Sequence, residues 1–178
     1  MVADTRDADF DPEGPIFDTF AEAKSTLSGT STIATATWIV EAADGGNALA
    51  QPTLAEWREK GDAVRADTRF AEYLVDQYDP DTGTSIPGIM SVADVADMSL
   101  GGGLATATEA ETAAALIGAL SDGSPFADMR FTLSEQAQLT GAGWTAPAFL
   151  TTVVYDSSGF ETLTDEETWL RELQDELR

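Results

Sequence analysis

Ser31-Thr32-Ile33-Ala34-Thr35-Ala36-Thr37-Trp38-Ile39-Val40-Glu41-Ala42 is the stretch on which the fold turns. β-Branched and aromatic residues dominate it, and these suit a pleated, packed surface. With a period of two, Ile33, Thr35, Thr37 and Ile39 fall on one face. Ala34, Ala36, Trp38 and Val40 fall on the other. Neither set carries a charge, so the expectation is a central strand covered on both sides. Pro147 to Asp156 (PAFLTTVVYD) reads as a second strong strand. Thr84 to Val92 (TSIPGIMSV) reads as a weak one, since Pro87 confines it to an edge or a bulge.

Helical patterns lie between and after these strands. Thr53 to Glu56 has the form of a capping box and predicts a helix running to about Tyr78. Its stripe is Leu54, Trp57, Gly61, Val64, Thr68, Ala71, Val75 and Tyr78, spaced by threes and fours. Asp79-Pro80-Asp81-Thr82-Gly83 stops it. Ser91 to Asp94 starts a short helix, and Gly101-Gly102-Gly103 reads as a flexible joint. Thr108 to Glu111 is a second box, opening a helix to about Leu120. Residues 126–145 fit a strand or a short helix equally well. Thr164 to Glu167 is a third box, and Trp169, Leu170, Leu173 and Leu177 give the last helix its apolar face. Ile16, Phe17, Phe20, Ala23 and Leu27 suit a short amphipathic helix ahead of the first strand.

The order is strand, helix, weak strand, helical insertion, strand, helix. It predicts an α+β fold, a ferredoxin-like βαββα(β) unit with a helical insertion and the final strand missing from the chain. The length of 178 residues fits one domain. Residues 1–30 are a lead-in with a short helix, and 31–92 the first strand–helix unit. Residues 93–145 are a mainly helical insertion, and 146–178 the second strand–helix unit. If that unit stops after its last helix, one strand edge is left for the following segment of a parent chain.

The charge narrows the function classes. There are 32 acidic residues against 9 Lys plus Arg, a net of −23. Four Trp, 8 Phe and 3 Tyr argue against a disordered acidic tail. Nucleic acid is excluded as a partner, because binding it needs a basic footprint. Scarce Lys with abundant Asp, Ala, Thr and Gly resembles the proteins of extreme halophiles. In molar salt the Debye length falls to about 3 Å, and repulsion among surface carboxylates is largely removed. No stretch approaches a membrane span, and the opening Met1-Val2-Ala3-Asp4-Thr5-Arg6 lacks the form of a signal peptide.

Candidate chemistry is sparse. With no His and no Cys, the usual nucleophile–base pair and the usual zinc ligands are absent. A Ser–Lys dyad would need Lys24 or Lys60, which fall on surface-like positions. Asp79-x-Asp81-x-Gly83 resembles the opening of a calcium loop. Gly83 and Met90 stand where that loop needs its third ligand and its Glu, so a helix-ending turn is the better reading. Gly101 to Thr106 fits G-x-G-x-x-T, but helix precedes it where the dinucleotide fingerprint needs strand. No catalytic residue, metal site or cofactor is expected, and the chain reads as a non-enzyme. Trp38, Trp57 and Trp169 fall on core-facing positions, whereas Trp144 falls in a loop. Trp144 is the candidate for contact with a substrate or a neighbouring domain.

Several segments, taken together, resemble the first extracytoplasmic loop domain of resistance-nodulation-division (RND) superfamily exporters of the haloarchaeal branch. They are Asp9 to Phe17, Ala36 to Ala42, Leu49 to Leu54, Ile89-Met90-Ser91-Val92-Ala93-Asp94-Val95, Leu150 to Asp156 and Glu167 to Leu177. The likeness rests on order and spacing, with no invariant site. It implies a porter-type domain outside the cell membrane that guides or gates a hydrophobic or amphiphilic substrate. Its partners would be the other domains of the transporter, and membrane segments outside this chain would anchor it. A free-standing halophilic binding or adhesion module and, more weakly, a carboxylate-based hydrolase are the alternatives.

Overall fold

The computed structural model describes residues 32–42, 45–79 and 84–178. The helix expected at Ile16–Leu27, Lys24 and all of the calcium-like motif after Asp79 lie outside the described residues.

β1 (Ile33–Glu41) is followed by α1 (Gln51–Ala66). The helix begins ahead of Thr53: Ala50 is its N-cap and has no capping side chain, and the Gln51 N–H donates instead to Glu109 Oε2 (2.8 Å). Pro52 sits in the first turn, where a fixed φ and a missing N–H cost nothing, and this carries the start past the expected capping box. α1 also ends earlier than its stripe implies. Asp67 leaves the helical region (φ −81°, ψ 120°) and accepts a hydrogen bond from the Arg69 backbone N–H, starting a separate turn, α2 (Thr68–Ala71). Phe70 is buried there, while Thr68 and Ala71 are exposed. Val75 and Tyr78 are therefore not helical. β2 (Gln77–Asp79) pairs antiparallel with β3 (Thr84–Ile86).

Pro87 and Gly88 separate β3 from β4 (Ile89–Met90). Gly88 is needed for packing: a Cβ there would stand 2.9 Å from the Val75 nitrogen. α3 (Val92–Ser99) starts on a complete capping box of Ser91 and Asp94. Gly101 and Gly102 take positive φ in the following loop, and a 3-10 turn covers Leu104–Thr106. α4 (Glu109–Ala119) starts on the expected Thr108–Glu111 box.

The ambiguous 126–145 stretch becomes a 3-10 segment (Ala127–Thr132) and a hairpin of β5 (Gln138–Thr140) and β6 (Gly143–Thr145). Trp144 thus lies on a strand, not in a loop. β7 (Ala148–Asp156), a 3-10 turn (Ser157–Gly159) and α5 (Leu163–Leu177) complete the chain. The box that caps α5 is Thr162 with Asp165, not Thr164 with Glu167.

The main sheet has the order β1-β7-β4 with antiparallel neighbours. Among the described residues β7 is central and β1 has β7 as its one strand neighbour, which corrects the expectation of a central β1. One face of β1 is also open: Ile39 is 68% exposed. An absence of charge reads the same whether a face is buried or uncovered.

α1 and α5 lie on one side of the sheet, as the strand–helix order predicts. Val64, Trp169, Leu173 and Leu177 pack there with Ala34, Ala36, Trp38 and Val153. A second core joins the start of β7 to α1, α3 and α4 through Phe149, Leu54, Val92, Ala96 and Leu116. The helical insertion is thus built into the hydrophobic interior. Residues Ile33–Arg178 form one unit.

Candidate functional site

The register decides which side chains share the uncovered face. Ile39 stands opposite Leu150, Thr37 opposite Thr152, and Thr35 opposite Val154. Met90 of β4 stands opposite Thr152 on the other side of β7. In a chain of net charge −23 this face is uncharged except at its corners, Glu41 and Asp156.

At the Ile39–Leu150 corner the face deepens into a groove of about 550 Å³. Its floor comes from Ile39 of β1 and from Pro147, Ala148, Phe149 and Leu150 at the start of β7. The far wall is Thr132–Gln136, which is tied to β7 by the Leu133–Phe149 bridge and by the Ser134 N–H donating to the Ala148 carbonyl (3.1 Å). Glu41 and Glu135 stand among the lining residues, with no Lys or Arg. The Ser134 hydroxyl is buried and has no hydrogen-bond partner among the described residues. Phe131, the residue before the wall, is 80% exposed. The arrangement suits an apolar body with a hydrogen-bonding or cationic end, and it contains no nucleophile–base pair.

Trp144 stands elsewhere. It packs half-buried against the core that holds α4, and its indole N–H is buried with no partner among the described residues. Gly143 beside it leaves no room for a side chain, since a Cβ would fall 2.8 Å from that of Ala113 on α4. Trp169 is buried, and Trp38 and Trp57 are half-buried against the two cores. Lys60 holds Glu56 at 2.9 Å and donates to the Arg178 carbonyl at 2.5 Å.

Two polar assemblies were not foreseen from the sequence. In the first, Asp94 is 5% exposed and accepts from the Ser91 N–H, the Ser91 hydroxyl and Arg65 Nη2 (2.6 Å). Arg65 also donates to the Ile89 carbonyl. Asp97, one helical turn on, accepts from Arg58 Nε (3.2 Å) and from the Leu104 N–H (3.1 Å). The two arginines lie seven residues apart on α1 and the two aspartates three apart on α3, so each pair shares a helix face. In the second, the Tyr155 hydroxyl donates to Glu166 Oε1 at 2.6 Å inside a cluster of Tyr73, Phe160 and Trp169. Burial, then the Glu166 carboxylate, pushes the Tyr155 hydroxyl far above the ordinary tyrosine range. Both assemblies join elements, and the first reaches the wall of a hollow of about 530 Å³ through Arg58 and Asp97.

No group of three or more acidic residues among those described is placed to hold a metal ion. No described helix is long and apolar enough to cross a membrane. Comparisons with protein families, with curated proteins and with solved structures find no match.

Proposed function

We propose that this chain is an extracytoplasmic, porter-type domain of an RND-superfamily exporter from a halophile, and that it guides a hydrophobic or amphiphilic substrate without chemistry of its own. The groove over Ile39 and Leu150 carries this reading: an apolar floor on the open side of a sheet whose other side is filled by helices. A contiguous apolar patch with a hollow in it marks a place where a ligand or partner comes. The strand order β1-β7-β4, with both long helices on one side, supports a ferredoxin-like unit in which no described strand lies on the other side of β1. In a transporter the partners are its other domains, and membrane segments outside this chain hold it at the cell surface.

A neutral amphiphile tests the groove without interference from net charge. Dodecyl maltoside is titrated in molar KCl against wild type and Ile39→Asn, with tryptophan fluorescence as the readout. Ile39 is largely exposed, so the variant is expected to fold. Loss of one aliphatic contact of roughly 1.5–3 kcal/mol weakens binding by about tenfold or more. Equal binding by both proteins, or none by either, removes the groove from the reading. The exporter context has its own check: the parent reading frame must encode membrane helices on both sides and a second loop of similar pattern.

A further inference from the structure

A second hollow, of about 520 Å³, adjoins the groove. Residues 132–135 and 148–150 line the groove alone, 138 and 145–146 line the hollow alone, and Gln136 and Pro147 line both. Two stretches of chain therefore run from one to the other, and the character of the lining changes where they pass Gln136 and Pro147. The groove has Ile39, Phe149 and Leu150, with Glu41 and Glu135. The hollow has no charged residue among those described, and its polar side chains are three amides and a hydroxyl: Asn47, Gln136, Gln138 and Thr145. Local structure sets these groups in place. Ala137 packs against the core, and Gln136 and Gln138 on either side of it are exposed. Gln138 stands opposite Thr145 in the β5–β6 hairpin, so the two side chains share a face, and the Thr145 hydroxyl donates to the Gln138 carbonyl (3.5 Å). Asn47 Oδ1 accepts from the Leu49 and Ala146 N–H groups (3.1 and 3.0 Å), which fixes that amide and leaves Nδ2 unengaged among the described residues. Neither glutamine amide has a partner there.

We infer that the hollow takes the head of the amphiphile whose apolar body lies in the groove, and that this head is a neutral polyhydroxyl group, a sugar. The inference rests on the groove as the seat of the body. A hydroxyl, like an amide, both donates and accepts, so a cluster of amides and a hydroxyl complements a polyol. An anionic head would meet Glu41 and Glu135 in the adjoining groove and a net charge of −23 around it. A cationic head finds no described carboxylate in the hollow and is drawn instead to those two glutamates or to the rest of the surface. In molar salt ion pairing at the surface is screened, whereas hydrogen bonds between neutral groups keep their strength. The hollow also has the size of a small-molecule site, roughly 300–1,000 Å³.

The test compares two neutral amphiphiles with the same dodecyl chain, titrated by calorimetry in molar KCl below their micelle concentrations. Dodecyl maltoside has a sugar head. Octaethylene glycol dodecyl ether has a head of ether oxygens, which accept but do not donate, ending in a lone hydroxyl. Two neutral hydrogen bonds correspond to about tenfold in affinity, so wild type is expected to hold the maltoside about tenfold more tightly than the ether. Gln138→Val replaces an exposed strand residue with a good strand former. It is expected to cut the preference to about twofold and to leave the affinity for the ether unchanged, which also reports that it folds. Ile39→Asn is expected to weaken both amphiphiles alike. Maltose without a tail should bind at least about tenfold more weakly than the maltoside, because it lacks the body that the groove holds. No binding of either amphiphile by wild type removes the groove and this inference with it. Where both bind, equal affinities in wild type, or a full preference retained by Gln138→Val, overturns the sugar head and leaves the groove standing. Maltose held as tightly as the maltoside overturns the joined site.

Discussion

At Tyr155 and Glu166 a hydroxyl and a carboxylate, both nearly inaccessible, meet among four aromatic rings. Removing the donor leaves a buried carboxylate oxygen without its partner, which costs about 1–3 kcal/mol. Tyr155→Phe should lower the unfolding free energy by that amount at neutral pH, read as a lower denaturation midpoint with the slope of the transition unchanged. The same pair sets a pH dependence. The unfolded chain releases the Tyr155 proton near its ordinary value of 10.0, and the folded chain holds it to a higher pH. Its contribution is complete below pH 10 and is lost as the pH climbs above it. Midpoints measured from pH 9 upward should thus fall less steeply in Tyr155→Phe than in wild type. Parallel slopes would show that the hydroxyl titrates alike in both states.

Between elements, the decisive joint is the one that Arg58 and Arg65 of α1 make with Asp94 and Asp97 of α3. Asp94 does two jobs: it completes the cap of its own helix and neutralises an arginine from another. Asp94→Asn keeps the shape and removes the charge, leaving Arg65 with the Ile89 carbonyl and the exposed Asp62 carboxylate (3.0 Å) but without its buried anion. The expected loss is about 2–4 kcal/mol, below the upper range for buried pairs because Arg65 remains partly exposed. Urea denaturation at fixed molar KCl measures it, and a loss under about 0.5 kcal/mol, the scale of an ordinary surface change, would reduce the joint to decoration. None of this was legible from sequence, because Asp94 and Asp97 look like two more acids among 32. The helix start at Ser91 and the box at Thr108 were legible, being local chemistry over four residues. Thr162 and Thr164 each have an acid three residues on, so spacing alone could not choose between them. The end of α1 was misread because apolar spacing continued through Ala71 to Tyr78, while Asp67 broke the backbone by a single side-chain contact. The groove drew on residues 39, 132–136 and 147–150, a meeting that only the tertiary fold creates.

Over the whole molecule, electrostatics outweighs any one contact. With a net charge of −23, the compact state repels itself in dilute buffer more than the unfolded chain does. The thermal midpoint should climb steeply from low salt to molar KCl, where screening reaches about 3 Å. A midpoint that stays level across that range would mean that the carboxylates are not the dominant cost. The uncovered side of the sheet gives this charge a direction. Elsewhere the surface wears a sheath of cations and tightly held water, drawn in by its carboxylates. Across Thr35, Thr37, Ile39, Leu150 and Thr152 the sheath has a window, since no ionised group there holds it in place. A neighbour arriving at the window strips no ion held by those five residues. The uncharged stretch thus gives the described unit a direction: in strong brine it is the side on which low-dielectric matter costs least to accept.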